Sequence, residues 1–392
     1  MKPIRCVLKK GKEKPLEGRH PWVFSGAIDQ IDDGYQTGDI VKVFSAEDRF
    51  LGMGYLNPRS QIAVRMLSFD DVSINPGFFE KRIRRAVAWR HEFLPAKTDA
   101  FRVVNSEGDF LPGLIADHYA GYHVVQFLTA GMDRWKDVIV GILKQEFPAK
   151  GIFEKDDSEW RDWEGLDRTA ARLEGEPPPD FVEILENGHT FVVDIQHGQK
   201  TGFFLDQRDN RSLVGKICAG KRLLNLYGYT GAFTTYAAAA GAVETVTVDT
   251  SQEALNTARL NLEKNKIPIS AHQFVCEDVP QYLRSIRQEF DVAVVDPPAF
   301  CKHKNQIQQA TRGYKDVNLF ALKRLAPGGL LFTSSCSSYF DAPLFQETLF
   351  HAAKDARRNL QILAKTSHPF DHPVSIFHPE GEYLKSFLCL VE

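Results

Sequence analysis

Four positions in this sequence set a carboxylate or an amide directly after a run of aliphatic and β-branched residues. Asn225 opens Asn225-Leu-Tyr-Gly-Tyr-Thr-Gly231, and Asp249 closes Thr245-Val-Thr-Val. Glu277 and Asp278 follow His272-Gln-Phe-Val-Cys276, and Asp296 closes Phe290-Asp-Val-Ala-Val-Val and opens Asp296-Pro297-Pro298. Polar groups at strand ends suit a nucleoside. A carboxylate such as Asp249 can accept hydrogen bonds from both ribose hydroxyls, and a Gly-containing turn lets the backbone approach a ligand closely. Asp278 is placed to meet an adenine amino group. The turn is not G-x-G-x-x-G, it lacks the glycine spacing a pyrophosphate wants, and no P-loop is present. Taken together, the four ends and the Asp-Pro-Pro favour S-adenosylmethionine over a nicotinamide dinucleotide. Singly they are weaker, because an Asp after a strand is more often a helix cap.

The other chemistry-bearing group is Cys336, in Ser334-Ser-Cys-Ser-Ser338. Most lone cysteines are small buried residues. A polar run at the end of a strand argues against burial here and leaves the thiol open as a nucleophile. Cys301 stands two positions beyond Ala299 and is given no catalytic role.

These residues need a scaffold that delivers strand ends to one edge. From about residue 181 the chain supplies it. Phe181-Val-Glu-Ile-Leu-Glu186, Asn187-Gly188 and Thr190-Phe-Val-Val-Asp194 read as a hairpin with a two-residue turn. Strand-like runs at 222–227, 245–249, 272–276, 290–295 and 330–334 then alternate with helical segments such as 253–265 and 317–325, which predicts a parallel, doubly wound α/β sheet. The runs at 361–364 and 385–391 add late strands at the sheet edge. Upstream, residues 1 to about 70 read as a small β domain of short apolar runs separated by turn residues. Residues 75–94 switch to helical spacing, with Phe79, Ile83, Ala86, Val87 and Leu94 on one side and the arginines mostly on the other. Strand-like pieces such as His123-Val-Val-Gln-Phe-Leu128 follow. The acidic stretch 154–180, ending in Pro177-Pro178-Pro179, reads as a loop or linker.

The chain of 392 residues has room for two or three domains and a large core, and its net charge of -3 points to no partner. A polyanion-binding surface must therefore be local. Lys2, Arg5, Lys9, Lys10, Lys12, Lys14 and Arg19 form one basic cluster, and Lys81, Arg82, Arg84, Arg85 and Arg90 a second. Clustered cations attract phosphates by counterion release, although a solvated face reads the same way. The six cysteines include no C-x-x-C pair and have no His at metal-ligand spacing, so no metal site is expected and a reducing, cytoplasmic setting fits best. No signal peptide and no apolar run long enough for a membrane span is seen.

At this point the sequence resembles a known family. Gly198-Gln-Lys-Thr-Gly-Phe-Phe-Leu-Asp-Gln-Arg208, Leu224-Asn-Leu-Tyr-Gly-Tyr-Thr-Gly-Ala-Phe233, Asp296-Pro-Pro-Ala-Phe300 and Thr333-Ser-Ser-Cys-Ser337 are similar to motifs of the ribosomal RNA large-subunit methyltransferase I family, and Gly18-Arg-His-Pro-Trp-Val-Phe-Ser25 is similar to its opening PUA domain. The resemblance runs through essentially the whole chain in the same order. It implies a PUA RNA-binding domain (1–72), a small α+β central domain (73–180) and a class I Rossmann-like methyltransferase domain (181–392). It further implies S-adenosylmethionine as cofactor and methylation of carbon 5 of a cytosine in large-subunit (23S) ribosomal RNA. Residue by residue, it implies a cofactor site of Phe203, Gln207, Arg208, Asn225, Tyr227, Thr230, Gly231, Asp249, Ser251, Asp278 and Asp296. Two departures stand out. Where the general methyltransferase pattern has an acidic residue and three alternating glycines, this chain has Asn225, Tyr227, Tyr229 and Gly231. Where other RNA cytosine-5 methyltransferases carry a cysteine three residues after the fourth-strand Asp, it has Ala299.

Carbon 5 of cytosine becomes nucleophilic only when a nucleophile adds to carbon 6, and a thiolate adds and leaves readily. Cys336 is the expected nucleophile. A free thiol has a pKa near roughly 8.5, so a nearby cation would help, and Lys200 is one source. Asp296 is expected to hold the ring edge and pass a proton to the ring nitrogen. Pro297, Pro298 and Phe300 would receive the base once it leaves its stack, with Lys200 also on the substrate side. Phe300 has core packing as its equal alternative. Expected partners are RNA and a second copy of the chain in a homodimer, with no membrane. Two other functions compete. One is methylation of an exocyclic amino group, which needs no cysteine but usually has an aromatic directly after the second proline. The other is a non-catalytic RNA-binding assembly protein, against which the joint presence of Asn225, Asp249, Asp278, Asp296 and Cys336 weighs.

Overall fold

The computed structural model describes residues 4–392. Lys2, counted above in the first basic cluster, lies outside the described residues. None of the helices among those residues is long and apolar enough to cross a membrane. The chain divides into two compact units that it visits in alternation. The first comprises the chain up to Ile184 together with Val193–Leu205 and Phe370–Gly381. The second comprises Leu185–Val192, Asp206–Pro369 and Glu382–Glu392.

The first unit opens on a six-stranded sheet, in the order Trp22–Phe24, Ile62–Ser68, Phe50–Leu56, Ile40–Phe44, Ile4–Leu8 and Ile28–Ile31. Its core is small and aliphatic, built on Val23, Val41, Val43, Leu56, Val64 and Met66. A five-stranded sheet follows, in the order Thr169–Gly175, Gly151–Asp156, Tyr122–Phe127, Leu114–Tyr119 and Ala100–Asn105. The stretch 154–180 is therefore not a linker. Glu154 and Asp156 sit in one of two antiparallel strands, Glu174 in the other, and Asp162 and Glu164 in the helix Trp160–Glu164; Asp156 and Glu164 are buried against Arg161 and Arg65. Composition misleads here because buried ion pairs read as solvated charge.

The helix Pro76–Phe93 starts where Asn75 accepts a hydrogen bond from the Phe78 amide and where Pro76 supplies a preset φ. Phe79, Ile83, Ala86 and Val87 bury one face against Ile139, Ile142 and Leu143 of the helix Lys136–Glu146. Each of these side chains except that of Ala86 stabilises the unit by about 1.5–3 kcal/mol relative to exposure. The arginines of this helix do not all face water. Arg90 is fully buried and grips Asp109 with two hydrogen bonds of 2.7 and 2.6 Å, and Arg84 pairs with Glu80 and Glu146. Arg90 is not available to a phosphate, Arg84 already has two carboxylate partners, and Arg5 of the first cluster pairs with Asp48.

The second unit holds a seven-stranded sheet in the order His272–Cys276, Glu244–Asp249, Arg222–Leu226, Phe290–Val295, Leu325–Ser335, Lys385–Val391 and Leu360–Thr366. The first five strands are parallel, and Lys385–Val391 pairs antiparallel with both of its neighbours. This is the expected doubly wound α/β sheet. One late strand lies inside the sheet rather than at its edge, and only Leu360–Thr366 is marginal. Parallel strands covered on both faces read as near-continuous apolar runs, as Phe290–Val295 does. The helix expected over 317–325 is longer, Ile307–Leu322, because Ala310 and Tyr314 extend its buried face by a turn and more. At the hairpin turn, Asn187 and Gly188 both take positive φ, the I′ geometry that this dipeptide favours.

Candidate functional site

In the second unit, the carboxyl ends of the first, second, third and fourth parallel strands lie on one edge. The first strand runs into a turn with three left-handed residues, Tyr227, Tyr229 and Gly231. Two of them are tyrosines, which tolerate this conformation only where surroundings hold them. Asp249 supplies the hold. One of its carboxylate oxygens accepts from the Tyr229 amide at 2.8 Å and the other from the Ser251 amide at 2.9 Å. Beneath the turn, Asn225 donates to Thr234 at 3.0 Å, and Thr234 shares a 2.6 Å hydrogen bond with Thr247. Gly228 is required there, since a Cβ would lie 2.4 Å from a Thr247 methyl.

This turn fits a nucleoside-bearing cofactor. Two of its buried side-chain oxygens, Asn225 Oδ1 and Thr230 Oγ1, have no hydrogen-bond partner within the protein. Such groups are uncommon in native interiors and each costs about 1–3 kcal/mol unless a ligand satisfies it. Asp249 keeps lone pairs beyond those used by the backbone. Ser251 and Asp278 both act as helix caps, accepting from the amides of Ala254 and Gln281. Asp278 is exposed and needs only one oxygen for its cap. Tyr227 is half-buried, and burial followed by the Asp278 charge pushes its hydroxyl well above the usual range.

The fourth strand delivers Asp296. Gln207, at the start of the helix Arg208–Lys216, donates its amide to both Asp296 oxygens at 2.9 Å and accepts from Asn210 at 2.6 Å. Gln207 is thus spent on Asp296. Burial and the Asp206 charge raise Asp296 to about 7, against the opposing pull of Arg211 and the Gln207 hydrogen bond. A carboxyl poised there can give or take a proton at neutral pH. Arg211 is itself buried in a two-bond pair with Glu186, 2.7 and 2.6 Å, which anchors the hairpin to the helix Arg208–Lys216. Arg208 is fully buried and lies 3.7 Å from Asp209.

Cys336 follows the fifth strand. Its Sγ lies 3.9 Å from the Pro297 carbonyl, one residue from Asp296, and it is half-buried. The polar run around it is itself interior. Ser334, Ser335 and Ser337 are buried, and Tyr314 is hydrogen-bonded to Ser335 and Ser337 at 3.0 and 2.9 Å. A run of serines argues for accessibility only when the interior offers no partners; here it offers them to three of the four serines, while Cys336 is half-buried and Ser338 exposed. Cys301 is buried in the core cluster. Pro298 is exposed. Phe300 is half-buried, with its ring 4.8 Å from Tyr314 and 6.4 Å from Tyr227, so it packs on the core and borders the cofactor turn.

The cation beside the sulfur is Lys385, which sequence reasoning missed. It stands opposite Ser335 in the antiparallel pairing, and its ammonium donates to the carbonyls of Ser337 at 2.5 Å and Tyr383 at 2.8 Å. Burial lowers it to about 8, and the nearby Cys336 sulfur acts the other way. The available signal was a lysine opening an otherwise apolar strand; its partner lies 49 residues earlier and needs the register to find it. Lys200, the expected source, is an exposed residue of the first unit with φ +55. Phe203 belongs to that unit too, buried, with its carbonyl accepting from Tyr119.

Comparison with known proteins agrees with this architecture. Residues 7–69 match the family model of a PUA-like domain, and residues 163–373 match that of an S-adenosylmethionine-dependent methyltransferase. Proteins named ribosomal RNA large subunit methyltransferase I from Shigella boydii serotype 4 and Escherichia coli K12 are each 41% identical over 394 residues, covering 99% of both chains. A solved methyltransferase complexed with SAH superposes with a TM-score of 0.86 at 27% identity, covering 98% of this chain and 99% of its own. An S-adenosylmethionine-dependent methyltransferase from Streptococcus mutans superposes with a TM-score of 0.85 at 26% identity, with the same coverage.

Proposed function

The chain belongs to the ribosomal RNA large subunit methyltransferase I family, an S-adenosylmethionine-dependent one, and on that premise we propose that it methylates carbon 5 of a cytosine in large-subunit ribosomal RNA through Cys336. When bound, S-adenosylmethionine supplies an electrophilic methyl group. Asn225, Thr230, Asp249 and Asp278 would hold it, with Tyr227 and Gly231 shaping the turn.

The observation that carries this reading is the closeness of a half-buried thiol to the backbone at the strand end that carries Asp296, a carboxyl raised toward neutrality. Cys336 Sγ reaches the carbonyl of the residue that follows Asp296, and Asp296 titrates at about 7. Attack of the thiolate on carbon 6 pushes electrons toward ring nitrogen 3, and protonated Asp296 donates to that nitrogen as the charge develops. Gln207 holds the Asp296 carboxyl in place by donating to both oxygens. The Lys385 ammonium, fixed by two carbonyls, favours the thiolate. Carbon 5 is then nucleophilic; after transfer, loss of its proton expels the Cys336 sulfur and restores the aromatic ring. An amino-group transfer would have no use for a thiol here.

The test uses RNA containing 5-fluorocytidine, in which the fluorine cannot leave as the proton does. The wild-type enzyme should form a denaturation-resistant adduct on Cys336 that mass spectrometry locates. Cys336→Ala should form none and should lose turnover while still binding cofactor. Undiminished methylation by Cys336→Ala overturns the carbon-5 mechanism, and mapping the methyl to an exocyclic amine would replace it.

A further inference from the structure

The helix Pro76–Phe93 carries a second stripe besides its buried face. Arg82, Arg85, Ala86, Trp89 and Phe93 recur at the spacing of one helical side and line a cleft of about 450 Å³. A neighbouring cleft of about 280 Å³ shares Arg82, Arg85 and Phe110 and adds Arg19 and Phe377. Both lie within the first unit.

Three features of this lining go together. First, its arginines differ from their neighbours on the same helix. Arg84 and Arg90 are paired with carboxylates, whereas Arg82 donates only to the carbonyls of Leu67 and Phe110. Among the described residues no carboxylate pairs with Arg82, Arg85 or Arg19. Arg82 and Arg85 repel one another, which together with burial lowers Arg82 to about 10 and still leaves it charged at neutral pH. The lining carboxylates are already engaged: Asp109 by Arg90, and Glu107 by Arg65 and the Trp22 indole at 2.8 Å. Only Asp70, exposed at the rim, is not.

Second, large aromatic rings stand open at the clefts. Phe93 is 60% exposed, Phe110 49% and Phe377 42%. Third, Phe110 holds its ring there from a left-handed backbone, φ +59, a conformation costing a non-glycine residue about 1–2 kcal/mol. Its carbonyl is clamped by Arg82, whose guanidinium lies 4.2 Å over Phe78 and 5.8 Å over Phe110. Strain that presents an apolar ring to water is what a binding surface needs. Cations with no carboxylate partner, interleaved with rings on which bases can stack, suit single-stranded nucleic acid.

We propose that these clefts of the first unit form a second RNA contact, which takes an unpaired nucleotide of the substrate with its base on Phe110 and its phosphates on Arg82 and Arg85. This rests on the RNA reading given above and is independent of the chemistry at Cys336. A contact of this kind favours a loop or single strand over a duplex, since only an unstacked base offers its face.

The test is fluorescence anisotropy of a short labelled single-stranded RNA with the full chain, as wild type, Arg85→Gln and Phe110→Asn. Arg85 is exposed, and Asn tolerates the left-handed backbone, so neither change threatens the fold; cofactor binding by calorimetry checks this. Phe110→Asn should weaken binding about 5- to 150-fold, the range that one stacked base supplies. Arg85→Gln should weaken it and reduce the salt slope by about 1. Both losses should appear in KM for RNA, and 4-thiouridine in the RNA should photocrosslink to the peptide carrying Phe110. Wild-type binding with variants that match it overturns this inference alone and gives the clefts to a protein partner. Failure of the wild type to bind RNA at low salt overturns the RNA reading and this inference together.

Discussion

Gln207 gives direct control over the proton on Asp296. Its amide lies 2.9 Å from both carboxylate oxygens and so favours the ionised form, against the burial and the Asp206 charge that lift Asp296 to about 7. A hydrogen bond to a charged group is worth about 1.5–3 kcal/mol. At about 1.36 kcal/mol per unit, losing it raises the carboxyl by about 1–2 units, to about 8–9. Gln207→Leu keeps the bulk and removes the donor. Because it also takes an acceptor from Asn210, Gln207→Glu serves as the companion: it keeps an acceptor and adds a like charge that pushes Asp296 up as well. The assay is single-turnover transfer of a labelled methyl group to RNA as a function of pH. The descending limb, where protonated Asp296 is lost, should move up by about 1–2 pH units in both variants. A limb that stays in place, in variants that still bind cofactor, refutes Asp296 as the donor governing it.

Other consequences are as direct. Lys385→Met should slow transfer at neutral pH and move the ascending limb of the same profile upward, with Lys385→Arg restoring part of it; an unmoved limb reduces Lys385 to a prop for two carbonyls. Asp296 binds its proton more tightly when folded, about 7 against an ordinary 3.8, so the stability this adds is complete below about pH 4 and lost as pH rises through about 7. Asn carries no such proton, so urea unfolding should find Asp296→Asn gaining on wild type between those limits; a flat difference counts against the raised value. Arg90→Met leaves Asp109 buried and uncompensated, which should cost about 3–5 kcal/mol, and a second change, Asp109→Leu, should recover most of it. If the double variant is as unstable as the single one, the ion pair is not what Arg90 contributes.

Much of this was readable in advance where the physics is local. Aliphatic runs that stop at Asn225, Asp249 and Asp296 mark strand ends because a buried strand must leave its polar residues at its tips. Asn187-Gly188 marks a turn because few other pairs tolerate two positive φ values. What was unreadable depends on pairing between distant segments. Arg90 looks solvated until Asp109 meets it, and the acidic stretch looks like a linker until Arg161 and Arg65 enter. The late strand Lys385–Val391 could be seen as a strand, but not that it enters the sheet antiparallel, and it is that register which sets Lys385 opposite Ser335 and beside the sulfur. Gln207 was legible as part of a motif and illegible in its task, since nothing linear relates it to Asp296.

Because the chain alternates between its units, neither one corresponds to a continuous stretch of gene. Phe370–Gly381 is stitched into the first unit, where the Asp371 carbonyl accepts from Arg90 and its carboxylate accepts from the Arg102 amide at 2.9 Å. A fragment severed near residue 180 would leave Arg90 and Arg102 short of those acceptors. Dissecting this protein by truncation would therefore wound the piece it meant to isolate, and point substitutions in the intact chain are the sounder scalpel.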